Sequence, residues 1–415
     1  MTTFSRRAVL GGALAMGCTD AGLPGRARAA EPISLGRGVN TWPWFSLTRE
    51  YPAPRTDYGW PAFQEGRAVP RPHDLVRLRM SGLDFIRIPV DPGPFLSFDG
   101  GRHLALLDSL SAAVSGALSA GLSVVVDLHP NVATHYWTPA CMIGGPDAPG
   151  FAAYRDLVGD LATRLAETDL DRVALEPVNE PPQPCGSPAW VAVQKTLLDT
   201  ARAACPDLTL VATGACGSSI TGLEALDPRP ILALGRVIFT FHFYEPFLFS
   251  HQGAPWMQEP VYRSLNGVPW PAAAGSLGQT LAAVRRRMAL DTVTPEAEKQ
   301  SAYRETERVL AVYFDAEPDI RFIASHFDPV LAWAARHGVP TRHILLGEFG
   351  ALRTDARYVA AGAADRARYV SDVRTTAEAC GFPWGFWNLF DGMGLMDDAT
   401  HVFDPAIMRA LGLSA

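Results

Sequence analysis

The chain has 415 residues, of which 48 % are hydrophobic and 19 % are charged. This apolar content excludes a chain that is disordered throughout, and the length fits either two or three domains or one closed barrel. With 36 Lys and Arg against 43 Asp and Glu, the formal net charge is −7, which argues against nucleic acid as a partner. The 34 Pro, 37 Gly and 10 Trp predict ordered loops with aromatic surfaces.

The N-terminus carries the features of a targeting signal. Residues 5–10 form a twin-arginine pattern, an apolar stretch over residues 8–17 follows, and residues 27–29 form a small-x-small cleavage pattern. We therefore predict a twin-arginine signal peptide over residues 1–29 and export to the periplasm or the extracellular space. The apolar stretch is shorter than the roughly 18 residues of a membrane span, so we expect no transmembrane segment. A loose lipoprotein-like pattern leaves lipid anchoring at Cys18 open.

Short β-rich apolar segments alternate with helical patterns along the rest of the chain. The predicted strands are Ser34–Asn40, Asp84–Val90, Ser123–His129, Val173–Glu180, Leu208–Gly214, Val237–Glu245, His343–Gly350 and Pro383–Phe390. Helical patterns between them include Leu104–Ala120, Phe151–Glu167, Ala189–Cys205 and Arg366–Cys380. Several strands are nearly continuous in Val, Ile, Leu and Phe, which is typical of parallel strands that are buried on both faces. Eight such strands predict an α/β fold, a single (β/α)8 TIM barrel over residues 30–415.

A doubly wound open sheet is the structural alternative. That fold needs a glycine-rich phosphate-binding turn after its first strand. The segment Gly36-Arg37-Gly38 has no third glycine in register, so the alternative lacks its motif.

The interval between Glu245 and His343 is much longer than one barrel unit requires. It predicts an insertion after strand 6, over about residues 246–321, with helices of its own at Leu277–Arg287 and Pro295–Phe314. Extensions of this kind usually shape binding clefts.

Polar and aromatic side chains stand where the apolar strands end. In a (β/α)8 barrel the catalytic groups lie at the carboxyl ends of the strands, so these side chains are candidate site residues. They are Asn40, Trp42, Arg87, His129, Asn179, Glu180, His242, Tyr244, Glu348, Trp387 and Asn388. Glu180 and Glu348 are carboxylates that close strands 4 and 7, and these strand ends can converge across the barrel mouth.

Paired carboxylates suit the cleavage of glycosidic bonds. One, in its protonated form, donates to the leaving oxygen while the other attacks the anomeric carbon. A separation of about 5–5.5 Å implies retention of configuration and a wider gap implies inversion. An Arg and a His–Tyr pair nearby would hold the attacking carboxylate ionised and oriented. Asn179 can hydrogen-bond a sugar hydroxyl, and Trp387 offers a flat apolar face to a pyranose ring.

A series of motifs along the chain carries a family resemblance. The motifs are Arg87-Ile88-Pro89, Asp127-Leu128-His129, Asn179-Glu180-Pro181, His242-Phe243-Tyr244, Gly347-Glu348-Phe349-Gly350 and Trp387. In this order they resemble the cellulase-type family 5 glycoside hydrolases, retaining β-glycosidases on a (β/α)8 barrel, over roughly residues 36–390. The resemblance implies that Glu180 is the acid/base and Glu348 the nucleophile. It places Arg87, His129, Asn179, His242, Tyr244 and Trp387 at the other hallmark positions of the family.

The expected function is that of a secreted, cellulase-like endo-β-1,4-glucanase that acts on β-linked oligo- or polysaccharides by retaining double displacement. The long segment after strand 6 departs from the family pattern and leaves the substrate open. One alternative is exo- or endo-acting hydrolysis of β-1,3-glucan, mannan, glucosides or glycolipids on the same fold. A second alternative is a non-catalytic glycan-binding barrel. An esterase is disfavoured because the chain has no Gly-x-Ser-x-Gly motif.

We expect no cofactor, no metal ion and a monomer. The chain has no Cys-x-x-Cys pair and its ten His are scattered, which disfavours a zinc site. Cys141 and Cys185 fall in the adjacent loops after strands 3 and 4, and we hypothesise a disulfide between them. Glu176 lies four residues before Glu180 and on the same side of its strand, where we interpret it as an inner carboxylate paired with Arg87.

Aromatic residues outside the motifs admit two interpretations, as sugar platforms or as packing residues of their own loops. Trp42 and Trp44 follow strand 1, and His135, Tyr136 and Trp137 follow strand 3. Trp256 and Trp270 lie in the insertion, where packing is the favoured interpretation.

Overall fold

The computed structural model describes residues 31–51, 55–131, 134 and 136–414. The predicted signal peptide over residues 1–29, with Cys18, therefore lies outside the described residues, as does His135. Within the described part of the chain, no helix combines the length and the apolar character that a membrane crossing requires.

Eight parallel strands close into a barrel in which each strand pairs with the next along the chain. They are β1 (Arg37–Asn40), β2 (Phe85–Val90), β3 (Ser123–Leu128), β4 (Val173–Glu176), β5 (Thr209–Thr213), β6 (Val237–His242), β7 (Ile344–Phe349) and β8 (Trp384–Phe386). The sheet is closed because β1 pairs in parallel with both β8 and β2. The predicted (β/α)8 barrel is confirmed, and the open doubly wound sheet is wrong.

Helices surround the barrel and return the chain to the next strand. After β1 to β8 in turn, the main ones are Pro72–Met80, Gly100–Ser119, Phe151–Leu165, Pro188–Ala204, Ile220–Glu224, Ile320–His337, Ala363–Cys380 and Pro405–Ala410. Local sequence explains their limits. The helix Pro188–Ala204, for example, starts with a proline in its first turn, and the Ser187 hydroxyl accepts a hydrogen bond from the Trp190 amide.

An apolar layer fills the barrel interior toward the amino ends of the strands. It contains Phe85, Val125, Ala174, Val211, Ile238 and Leu345, together with Ile33 and Leu35. Because alternate residues of a strand face the same side, the residues two positions further along also point inward. These are Arg87, Asp127, Glu176, Thr213, Thr240 and Gly347, and all six are buried. The strand period thus places a polar layer directly above the apolar one.

The segment after β6 is the predicted insertion. It contains the helices Phe247–Ser250, Pro260–Ser264, Leu277–Leu290 and Glu296–Ala316 and the 3₁₀ turn Ala272–Ala274. The barrel resumes at Ile320–His337, where Phe327 packs on Phe241 and Trp333 packs on Phe239. Trp270 is fully buried and its indole N–H donates to Asp372, so it is a packing residue.

The connection between β1 and β2 contains an antiparallel pair of strands that the sequence did not predict. Thr48–Glu50 pairs with Tyr58–Phe63. This pair lies outside the barrel sheet, and Phe63 packs edge-on against Phe45.

Gly38 in β1 is expected not to tolerate a side chain. A Cβ atom at this position would lie 2.3 Å from Cζ of the Phe85 ring in the apolar layer. Because packed interiors resist added volume, we expect Gly38→Ala to lower the free energy of unfolding by about 1–3 kcal/mol in urea denaturation. Gly101→Ala is the control, because a Cβ there meets no atom within 4 Å. Equal stability of the two variants would contradict the packing argument.

Candidate active site

Arg87 is the centre of the polar layer and is completely buried. Its Nε and Nη2 donate to the two carboxylate oxygens of Glu176 at 2.7 and 2.9 Å. Nη1 donates to Asn40 Oδ1 at 2.9 Å and to Glu348 Oε1 at 2.8 Å. Nη2 also lies 2.8 Å from Asn179 Oδ1 and 3.0 Å from Asp127 Oδ2. One side chain of β2 thus holds groups from four other strands.

The buried layer contains more carboxylates than cations. Arg87 faces Asp127, Glu176 and Glu348, and all four side chains are nearly inaccessible to water. Burial raises the pKa of Asp127 to about 7, against the attraction of Arg87. Burial likewise raises the pKa of Glu176, which Arg87 also opposes. A proton on Asp127 therefore limits the negative charge of the layer near neutral pH.

Glu348, in β7, is fixed at both carboxylate oxygens. Arg87 donates to Oε1 at 2.8 Å, and the Tyr244 hydroxyl donates to Oε2 at 2.9 Å. His242 Nδ1 lies 3.6 Å from Oε2. The group is buried at the floor of the cleft and faces hydrogen-bond donors, as an anionic nucleophile requires.

Glu180 occupies a different environment at the mouth of the barrel. Its side chain is 40 % exposed, and its Oε1 lies 2.7 Å from His242 Nδ1. Desolvation by the surrounding strand ends raises the pKa of Glu180, although His129 and Arg87 attract its charge. Glu180, His242 and Glu348 each bring a ligand atom within 4.8 Å of the others. This proximity matches the short carboxylate separation of retaining glycosidases rather than the wider gap of inverting ones.

His242 is buried beside both carboxylates, and its charge state is set by that burial. Desolvation lowers the pKa of His242 to about 4, so the imidazole is neutral near pH 7. A neutral imidazole can donate at Nδ1 to the carboxylate form of Glu180 or accept there from the acid form. The hydrogen bond between His242 and Glu180 can therefore form in both protonation states of Glu180.

Asn179 is held in one orientation by two neighbours. Its Oδ1 accepts from Arg87, and its Nδ2 donates to His129 Nε2 at 3.2 Å. His129 Nδ1 in turn lies 2.8 Å from Asp127 Oδ2, and burial lowers the pKa of His129. The second N–H of the Asn179 amide has no acceptor among the described residues, although Asn179 is buried and does not itself line the cleft.

Aromatic rings form much of the cleft above the carboxylates. Trp387 stacks on His129 with ring centroids 5.5 Å apart, and Trp42 lies 5.8 Å from Trp387. The cleft has a volume of about 580 Å³. Its walls include Phe247, His251, Trp256 and Met257 from the insertion, and Asn388, Asp391, Gly392 and Met393 after β8.

The predicted disulfide between Cys141 and Cys185 is wrong. Cys185 is bonded to Cys216, and Cys141 is free. Strands β4 and β5 are neighbours, and the chain after β5 turns through left-handed conformations at Cys216 and Gly217, which brings Cys216 to the loop after β4. Cys141 lies on the short helix Pro139–Ile143.

The structure brings most of the predicted site residues together. Trp42, His129, Glu180, His242, Tyr244, Glu348 and Trp387 line the cleft. Asn40 does not line it, since it is fully buried and its amide donates to the Gly347 carbonyl. Glu176 is the inner partner of Arg87, as interpreted from the sequence. Trp137 donates to Ser97, and neither it nor Tyr136 lines the cleft.

The cleft also contains Asn388, a candidate from the sequence, and Asp391 and Trp256, which carried little or no sequence signal. Asn388 is buried, and its Oδ1 has no hydrogen-bond partner among the described residues, so it can accept from a ligand. Asp391 lines the cleft, and its Oδ1 accepts from Arg357 at 2.8 Å and from the Tyr358 hydroxyl at 3.4 Å. Trp256 is 50 % exposed and lines the cleft, and its ring also packs edge-on against His251 and Tyr358, so the structure is compatible with both interpretations of this residue. The position of Trp256 in an unaligned insertion hid its place in the cleft.

Glu180, His242 and Glu348 also offer the ligand types that bind divalent cations. Nη1 of Arg87 already donates to Oε1 of Glu348 at 2.8 Å, and the positive charge of Arg87 would repel a metal cation bound to the same carboxylate. The arrangement is better suited to an organic substrate than to a metal ion.

The family model "Cellulase (glycosyl hydrolase family 5)" matches residues 70–392. That match covers most of the chain, and the chain belongs to this family.

Endoglucanase 3 of Fibrobacter succinogenes is 21 % identical over 405 residues, which are 92 % of this chain and 53 % of that protein. Cellodextrinase A of Ruminococcus flavefaciens is 23 % identical over 232 residues, which are 54 % of this chain and 63 % of that protein. The chain thus spans between half and two thirds of these curated relatives. The solved cellulose synthase subunit Z of Clostridioides difficile shares the fold, with a TM-score of 0.63, 20 % identity and coverage of 91 % of this chain and 99 % of that one.

Arg87→Lys tests the central role of the guanidinium. Lysine keeps the charge but supplies three donors from one point, so it cannot serve acceptors on four other strands. We expect the free energy of unfolding to fall by about 3 kcal/mol, because buried carboxylates lose their partners. Urea denaturation at neutral pH measures it, with Arg155→Lys at an exposed ion pair as the control. A loss no greater than that of the control would show that the acceptors are satisfied without Arg87.

Proposed function

We propose that this chain is a retaining endo-β-1,4-glucanase in which Glu180 is the acid/base and Glu348 the nucleophile. One observation carries the proposal. Two carboxyl groups approach within 4.8 Å at the floor of an aromatic cleft, and their surroundings differ. Glu180 is partly exposed and has a raised pKa, as a proton donor needs. Glu348 accepts hydrogen bonds at both oxygens, as an anionic nucleophile needs.

The geometry supports a double displacement. In the first step an oxygen of Glu348 bonds to the anomeric carbon while the Glu180 proton moves to the leaving oxygen and the glycosidic bond breaks. In the second step Glu180, now a carboxylate, takes a proton from water, and the water oxygen displaces Glu348. Tyr244 and Arg87 keep Glu348 oriented through both steps, and Asn179 can bind a sugar hydroxyl beside the reacting carbon.

A neutral glucan chain is the substrate class that the cleft favours. Trp42, Trp387 and Trp256 present aromatic faces of the kind that stack on the apolar C–H face of sugar rings. The relatives named as an endoglucanase and a cellodextrinase support β-1,4-linked glucose over other sugars.

We further propose export by the twin-arginine route to an oxidising compartment. The twin-arginine pattern supports it, and so does the disulfide between Cys185 and Cys216, since disulfides persist outside the reducing cytosol. The mass of the mature N-terminus tests it, because cleavage after Ala29 and lipid-linked Cys18 differ in mass. An uncleaved, cytosolic protein would refute it.

Glu348→Gln is expected to lower the release of reducing ends from carboxymethyl cellulose by roughly 10³-fold or more, because the amide cannot form the covalent intermediate. The exposed Glu307→Gln is the matched control and should retain full activity. Proton NMR of the first product should show the β-anomer. Early α-anomer, or an active Glu348→Gln enzyme, would refute the mechanism.

The wild-type activity should decline as the pH rises through the raised pKa of Glu180, since the acid form is then lost.

Trp256→Ala tests whether the insertion extends the binding surface. We expect KM for cellopentaose to rise roughly tenfold, since loss of one stacked ring costs about 1.4 kcal/mol. The hydrolysis of a short aryl β-cellobioside should change less than about twofold, because its sugars occupy the site beside the carboxylates. Trp60→Ala is the control, since Trp60 is 40 % exposed on the outer strand pair and does not line the cleft. Equal effects on both substrates would place Trp256 outside the binding surface.

A further inference from the structure

The loops after β4 and β5 are joined in three places beside Glu180. Cys185 forms a disulfide with Cys216, with Cα atoms 5.0 Å apart. The Cys216 amide donates to the Gln183 carbonyl at 2.8 Å, and the Gly217 amide donates to the Pro181 carbonyl at 2.9 Å. We call this set of links, between residues 181–185 and 216–217, the loop clamp.

The backbone of Glu180 has a conformation that its own sequence disfavours. Its φ is +42°, in the left-handed region that a residue with a Cβ rarely occupies. Glu180 also precedes Pro181, and the proline ring pushes the preceding residue toward extended conformations. Neighbouring structure must therefore hold this residue. On its amino side, the Asn179 amide donates to the Leu128 carbonyl, and on its carboxyl side Pro181 is held by the loop clamp.

The partner loop is also held in an unfavourable conformation. Cys216, Gly217 and Ser218 have φ values of +49°, +71° and +55°, so three successive residues occupy the left-handed region and two of them carry side chains. Such conformations persist when the surrounding structure determines them from several sides. Cys216, Gly217 and Ser219 line the same cleft as Glu180. Both ends of the loop clamp thus bear on one wall of the active site.

The two carboxylates differ in their dependence on this clamp. Glu348 lies in β7, and Arg87 and Tyr244 hold both of its oxygens. Glu180 lies beyond the end of β4, and its carboxyl group has one described hydrogen bond, to His242. The direction of the Glu180 side chain therefore depends on its backbone, whereas that of Glu348 does not.

We propose that Cys185 and Cys216 are positioning residues that direct Glu180 toward the glycosidic oxygen. This inference rests on the proposed function, in which Glu180 is the acid. In the affected step the Glu180 proton bonds to the leaving oxygen as the bond from that oxygen to the anomeric carbon breaks, while Glu348 bonds to that carbon. Without the disulfide, Glu348 still attacks, but the leaving sugar departs with less help from the acid.

The test compares leaving groups in the double variant Cys185→Ser/Cys216→Ser. An unactivated glucan linkage needs the proton, whereas a dinitrophenolate leaves as an anion without it. We expect kcat/KM for cellopentaose to fall about 10–100-fold, within the range that general acid catalysis contributes. We expect kcat/KM for 2,4-dinitrophenyl β-cellobioside, which reports the first step, to change less than about threefold. A purely stabilising cross-link would lower both values together or neither.

Controls separate this inference from the proposed function. Cys141→Ser removes a free thiol and should leave both substrates unaffected. Glu180→Ala should leave kcat/KM for the dinitrophenyl substrate nearly unchanged, although its kcat falls because the second step lacks a base, and should abolish activity on cellopentaose. If kcat/KM falls for both substrates, the assignment of Glu180 as the acid fails. The positioning role is refuted if Glu180→Ala gives this result but the double variant shows an equal fall in kcat/KM on both substrates, or no fall on either.

A second measurement applies if the double variant folds poorly. Folded wild-type enzyme is treated with dithiothreitol, assayed on both substrates and reoxidised. Selective and reversible loss of cellopentaose activity supports the positioning role. Equal loss on both substrates overturns it. Non-reducing peptide mapping that finds Cys185 and Cys216 as free thiols in the untreated enzyme overturns it as well.

Discussion

Arg87 has no exposed surface, and its Nε, Nη1 and Nη2 all donate to acceptors that come from β1, β3, β4 and β7 or from the residues just after them. A buried guanidinium is stable only when its donors are satisfied and its charge is balanced. Meeting that requirement fixes Glu348 at the cleft floor and orients Asn179 beside it. The buried layer also holds more carboxylates than the single positive charge of Arg87 can balance. Burial therefore raises the pKa of Asp127 and Glu176 in spite of the attraction of Arg87.

The fold and most of the site could be predicted because both follow from one geometric rule. Parallel strands of a closed barrel bring their carboxyl ends to one mouth, so residues that close apolar runs must meet there. This rule identifies four residues of the site, Glu180, Glu348, His242 and Tyr244. The rule does not say how far above the strand each residue stands. The prediction extends β4 to Glu180, but the strand ends at Glu176, and this difference separates a buried partner of Arg87 from the more exposed carboxyl group of Glu180.

Other features depend on contacts that chain order does not encode. Cys141 and Cys185 lie in adjacent loops, yet Cys185 pairs with Cys216 because of the left-handed turn at Cys216. No local sequence motif predicts that turn. Trp256 and Trp270 have the same residue type in the same insertion, but one faces the cleft and the other is buried against Tyr369. Whether each tryptophan faces the cleft or the interior depends on the path of the insertion, and that path follows from tertiary packing. The paired strands Thr48–Glu50 and Tyr58–Phe63 were missed because they are short and lack alternation.

The insertion both leaves and rejoins the barrel at the mouth. It starts just after β6, and the helix Ile320–His337 that follows it runs back down toward the start of β7. No described contact of Arg87 involves a residue of this segment, so the segment and the polar layer are held by separate sets of contacts. Changes in the four insertion residues that line the cleft can therefore alter the shape of the cleft without touching the hydrogen bonds of Arg87.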